Sequence, residues 1–282
     1  MRLKNSIKFY MVCIMLVCIC CLGKGQVANG ANAAKMSLEP DVVYSAYDVT
    51  GDGAADTVKV KIADNKDQWN SETIKIFVNN NIVFKQKRKC DPSWRVNLIQ
   101  LANGKVFFDI DSTIMSDDDD IHQLYICEND KLKSVYDFNK YYDKYADYYL
   151  VNIDKVSGNT IKTEVYAQFY TTGSIRFDMN VNYKDGKFER ASNTFTPKYK
   201  MYNRKNKWTA NRKIKVYKKA GSNKTAYTLK KGNVVKLNKI IYKNNKVYFQ
   251  IKNNNGKGKT GYIPASKKFP SSNYFKEAQY AG

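Results

Sequence analysis

The chain has 282 residues, 43% of them apolar and 26% charged, with only 15 Gly and 5 Pro; this is material for one to two globular cores and excludes a collagen-like or disordered chain. Its formal charge of +22 attracts polyanions and repels cationic partners at long range. A single histidine, His122, excludes any multi-histidine metal site and leaves triad catalysis one imidazole to work with.

In chain order, residues 1–33 come first. Arg2, Lys4 and Lys8 precede an uncharged run over 9–22, and Ala31, Asn32 and Ala33 follow it, the layout of a secretory signal peptide. The run is too short to cross a bilayer comfortably, so no membrane span is expected after signal cleavage, and the protein is expected to be secreted or held at the cell surface. Cys13, Cys18, Cys20 and Cys21 would leave with the signal, so the mature chain keeps Cys90 and Cys127, whose spacing leaves their pairing open.

Residues 34–197 read as a β-rich domain. Apolar residues alternate at Val58, Val60, Ile62; at Ile74, Ile76, Val78; at Tyr149, Val151, Ile153; and at Ile175, Phe177, Met179, Val181. Turn signals separate them, among them Asn79-Asn80-Asn81, Asn103-Gly104, Ser157-Gly158-Asn159 and Asp185-Gly186, at hairpin spacing. The expected class is all-β, with this domain either a partial propeller-like sheet or a β-sandwich. Only residues 137–149, with Tyr141, Tyr145 and Tyr148 at helical spacing, predict a short helix.

Within this domain Asp48, Thr50, Asp52 and Asp56 place side-chain oxygens around a tight turn containing Gly51 and Gly53, and the Ala54 carbonyl adds another. Such a donor set suits a hard cation such as calcium, although a glycine turn closed by Asx-type hydrogen bonds uses the same residues. The segment resembles the calcium turn of FG-GAP and VCBS repeats, in which D-x-[DN]-G-D-G-x-x-D opens a strand; Asp48, Asp52 and Asp56 match, and Thr50 departs. The resemblance implies calcium at Asp48, Thr50, Asp52, Ala54 and Asp56. Further on, Asp117 to Asp120 read as a solvated acidic loop, and His122 as facing solvent or a hydrogen-bond partner.

A boundary is expected at Pro197, where proline interrupts the strands and the charge changes. From Lys200 to Gly282 there are 22 basic residues and one acid, Glu277, so residues 198–282 carry nearly the whole excess. Here Val216, Leu229, Gly232, Val235, Tyr248, Ile251 and Gly261-Tyr262-Ile263 follow one another through short predicted strands. This ordered set resembles the bacterial Src homology 3 domain, with Tyr standing at two positions where that family has Trp. The resemblance implies a small barrel that binds peptidoglycan or another envelope component.

Lys218, Lys219, Lys224, Lys230, Lys231, Lys257 and Lys259 lie on predicted loops of this unit, where ammonium groups stay solvated and can meet phosphate or carboxylate. Tyr217, Tyr248 and Tyr262 offer aromatic faces, although a barrel this small also needs aromatics inside. The expectation is an exported, non-enzymatic envelope protein that binds anionic wall polymer or peptidoglycan through these residues; export disfavours nucleic acid. Two alternatives stand beside it. One is a wall hydrolase using carboxylates such as Asp109 and Asp111, with the barrel as targeting module; the other is a secreted adhesin for host polyanions.

Overall fold

The computed structural model describes residues 32–68, 70–89, 91–113, 121–141, 145–198, 206–253 and 258–278. Residues 1–31 of the expected signal peptide, Cys90, Lys257 and the Asp117 to Asp120 loop lie outside the described residues. The fold is all-β, and among the described residues no helix is long and apolar enough to cross a membrane.

The chain opens with β1 (Ala34–Ser37), β2 (Val43–Tyr47), β3 (Asp56–Asp64), β4 (Glu72–Val78) and β5 (Asn81–Arg88). Next come β6 (Ser93–Gln100), β7 (Val106–Thr113), β8 (Ile121–Glu128) and β9 (Lys131–Asp137). Strands β2 to β5 form one antiparallel sheet in sequence order; β1 joins the others in a second sheet ordered β1-β6-β7-β8-β9. Register follows from alternation: Val58 opposite Val78 and Val60 opposite Ile76 put every large aliphatic of β3 and β4 on one buried face.

The second sheet is covered on both sides. Trp94, Val96, Leu98, Phe108 and Ile110 pack against the first sheet, whereas Ile99, Phe107, Leu124 and Phe138 belong to the core on the opposite face. Two-sided burial explains why Val106-Phe107-Phe108-Asp109-Ile110 carries no polar alternation.

A third sheet consists of β10 (Ala146–Ser157), β11 (Thr160–Phe169), β12 (Gly173–Lys184) and β13 (Lys187–Arg190). Among the described residues of 137–149 no α-helix is formed. A 3-10 turn occupies Asn139–Tyr141, and β10 begins at Ala146. Ladder pairing with β11, from Ala146 opposite Phe169 to Ser157 opposite Thr160, satisfies far more backbone than a short helix could. Tyr145 instead packs into the core and donates its hydroxyl to the Asn245 carbonyl at 3.0 Å.

The remaining strands are β14 (Thr194–Phe195), β15 (Pro197–Lys198), β16 (Trp208–Thr209), β17 (Ile214–Tyr217), β18 (Thr225–Leu229), β19 (Val234–Lys243), β20 (Lys246–Asn253) and β21 (Thr260–Pro264). Strand β15 pairs with β12; the others form a sheet ordered β14-β19-β20-β21-β17-β18, with β16 also on β19. Hydrogen bonding thus changes sheets between Phe195 and Pro197. Buried side chains run on across that point, with ring centroids 5.2 Å apart for both Phe177–Phe195 and Phe169–Phe249. The loop that begins at Lys218 ends at Lys224, because Thr225–Leu229 pairs with β17.

Candidate functional site

The aspartate turn is closed by its own backbone. Gly51 (φ 80°) and Gly53 (φ 88°) adopt the left-handed region that curls N–H groups inward. Asp48 Oδ1 accepts from the N–H of Gly51 (2.6 Å) and Asp52 (3.2 Å), and its Oδ2 from Gly53 (2.8 Å). Asp52 Oδ1 accepts from Ala54 N–H at 2.8 Å. Asp56 is buried beneath the turn: its Oδ2 accepts from the N–H of Val49 and Thr50 and from the Thr50 hydroxyl, and its Oδ1 from the Asn79 amide at 2.6 Å. Asp48, Thr50, Asp52, Ala54 and Asp56 therefore share one turn, but Asp56 is committed inward, Asp48 is half-buried with both oxygens accepting backbone N–H groups, and Asp52 is exposed. Among the described residues no three acidic, histidine or cysteine side chains converge as a metal site.

The C-terminal unit places Tyr217, Tyr262 and three of its lysines on one sheet face. Residues paired across antiparallel strands share a side. Tyr217 pairs with Tyr262, Tyr262 with Gln250, and Gln250 with Lys239; the next row is Lys236, Lys252 and Thr260. Gln250 donates its amide to the Tyr262 hydroxyl at 2.9 Å, fixing that ring. Lys236, Lys239 and Lys252 are exposed and have no ion-pair partner among the described residues. The unit's one acid is occupied, since both Glu277 oxygens accept at 2.7 Å from the N–H and hydroxyl of Thr209.

Of the residues picked from sequence, Tyr217 and Tyr262 lie half-buried on this face, while Tyr248 is only 8% exposed, below the loop that carries Gly221. Lys218, Lys219 and Lys224 are exposed on the loop between β17 and β18, which is closed by Lys218 N–H donating to the Lys224 carbonyl at 2.9 Å. Lys259 is exposed beside Thr260; Lys230 and Lys231 are exposed in the β18–β19 turn, off the Tyr217–Lys239 row. Sequence reasoning missed Lys236, Lys239 and Lys252, although the alternation Val235-Lys236-Leu237 already marks Lys236 as outward.

A second constellation lies between the second sheet and β10. Asp111 pairs with both Arg95 and His122 across strands, and Asn97 with Asp109. His122, 5% exposed, sets Nε2 2.9 Å from Asp109 Oδ1; the Asn97 amide donates to Asp109 Oδ2 at 2.8 Å, and Arg95 bonds Asp111 Oδ2. His122 is thus buried on Asp109 and does not face solvent. Burial by itself would lower the His122 pKa, but the charge and hydrogen bond of Asp109 and the charge of Asp111 outweigh it and hold the imidazole above its ordinary value. Burial raises Asp111, against the opposing pull of His122 and Arg95.

These side chains line a cavity of about 300 Å3 whose rim carries the exposed Ser37, Glu39 and Arg95. An imidazole oriented by a carboxylate can hold and move a proton in such a cleft. Cys127 is buried and forms no disulfide among the described residues, and its thiol is pushed up to about 11 chiefly by burial.

No protein-family model matches this chain, and neither a curated protein nor a solved structure matches it.

Proposed function

We propose that this is an exported, non-enzymatic protein of the cell envelope whose basic C-terminal unit binds anionic wall polymer or peptidoglycan. The observation that carries the reading is the shared face of Tyr217, Tyr262, Gln250, Lys239, Lys236 and Lys252, which joins ring faces for sugars to unpaired ammonium groups for phosphate or carboxylate. Loop lysines Lys218, Lys219, Lys224 and Lys259 extend the positive field around it. Calcium enters this reading as a weak ligand of the turn's two outer carboxylates, the half-buried Asp48 and the exposed Asp52, with Asp56 as the loop's buried support.

The test is pelleting with purified wall sacculi. Salt-reversible pelleting without loss of turbidity, weakened in a K236Q/K239Q/K252Q variant, supports the reading; wild-type pelleting by that variant overturns it.

The cleft of Asp109, Asp111 and His122 favours a second reading, a wall hydrolase with the C-terminal unit as targeting module. A carboxyl raised by burial beside a carboxylate-oriented imidazole is a composition used for general acid and base work. Loss of sacculus turbidity that disappears in Asp111→Asn would support it.

A further inference from the structure

The solvent face of the first sheet carries a feature that the near-neutral charge of this part of the chain conceals. Lys61 of β3 lies directly opposite Lys75 of β4, which lies directly opposite Lys85 of β5. Adjacent strands are about 4.8 Å apart, so the three lysines form a ladder across the sheet, with Lys61 Nζ 5.8 Å from the Phe77 ring centroid. Lys59 and Lys87 flank it; Asp41 is 3.5 Å from the first and Asp67 3.0 Å from the second. The ladder's own three lysines have no ion-pair partner among the described residues. Like charges directly opposed on a sheet destabilise it.

Beside the ladder runs an apolar row on the same face, Val43, Phe77 and Ile82, interrupted only by Lys59. Val42, Val43 and Ile82 are 44%, 59% and 50% exposed, three of the four exposed large hydrophobic residues among those described. Between these rows lies a depression of about 340 Å3 lined by Val43, Thr57, Lys59, Lys61, Phe77 and Asn80.

We propose that this face docks on an anionic lipid surface. Both of its unfavourable features are relieved there together: lipid phosphates neutralise the Lys61, Lys75 and Lys85 ladder, and the headgroup boundary receives Val43, Phe77 and Ile82. A soluble polyanion would neutralise the ladder and leave the apolar row in water.

The experiment uses the full chain and sedimenting vesicles of phosphatidylcholine with or without phosphatidylglycerol. Wild type binds the anionic vesicles; K61Q/K75Q/K85Q lowers the partition coefficient about tenfold or more. V43S/I82S lowers it about threefold. Both variants keep wild-type pelleting on wall sacculi, whereas K236Q/K239Q/K252Q loses that pelleting and keeps the ladder-dependent vesicle binding, so the two readings fail separately. Equal binding to zwitterionic vesicles, or no effect of K61Q/K75Q/K85Q, overturns the proposal. So does a V43S/I82S variant with unchanged partition combined with loss of inorganic polyphosphate binding in K61Q/K75Q/K85Q, which would make the face a strip for soluble polyanions. Unfolding midpoints verify each fold, and K75Q alone serves as the milder variant.

Discussion

His122 and Asp109 meet inside the second sheet, Nε2 to Oδ1 at 2.9 Å, with the Phe138 ring centroid 4.5 Å from the imidazole. Asp111 and Arg95 complete the charged groups around the ring. Because the folded pKa is raised above the unfolded value of about 6.5, this group's contribution to stability is fully present below that pH and is lost as pH rises through the folded value. Thermal midpoints measured upward from pH 6 are therefore expected to fall, and His122→Gln should flatten the fall. Asp109→Ala, which strands His122 and Asn97 in the interior, should cost about 3–5 kcal/mol in chemical denaturation.

The aspartate turn separates a buried structural carboxylate, Asp56, from the exposed Asp52. Asp56→Ala leaves the buried Val49 N–H without its acceptor and releases Thr50 and Asn79, an expected loss of about 2–4 kcal/mol. That loss should be the same in chelator and in roughly millimolar calcium. Asp52→Ala should leave the chelator midpoint nearly unchanged and remove any calcium-induced rise, which differential scanning calorimetry reads directly.

Gly261 sits where β21 passes over β17. A Cβ there would overlap Val216 Cγ1 and approach the Tyr217 carbonyl to 3.1 Å. Since Val216 is fully buried, its side chain has nowhere to retreat, and Gly261→Ala should destabilise the protein by about 2 kcal/mol or more in urea unfolding.

Relieving the lysine ladder should stabilise the protein. Lys75 stands between Lys61 and Lys85, so Lys75→Glu turns two repulsive cross-strand pairs into attractive ones, worth about 0.5–1 kcal/mol in total. The gain should shrink in high salt, because the groups are close to solvent.

Strands were most legible where one face is wet. Val58, Val60, Ile62 and Ile74, Ile76, Val78 announce β3 and β4 because side chains on a pleated strand alternate in direction whatever surrounds them. Tyr141, Tyr145 and Tyr148 misled for the complementary reason: their helical spacing is a local hint, and the long ladder with β11 overrides it. The turn from Asp48 to Asp56 was legible as a turn because Gly51 and Gly53 supply positive φ locally. Whether Asp56 points at an ion or at backbone N–H groups depends on Asn79, 23 residues away.

From the sequence alone came the all-β class, the hairpin punctuation and the concentration of positive charge after residue 200, since pleat periodicity, turn chemistry and net charge are properties of neighbours and sums. Tertiary structure decided which charges meet: the pairing of β7 with β8 buries His122 on Asp109, the register of β3 to β5 lines up Lys61, Lys75 and Lys85, and that of β17, β21, β20 and β19 places Tyr217 in line with Lys239. Those juxtapositions depend on register between distant strands, and a shift of one residue would turn each side chain to the opposite face.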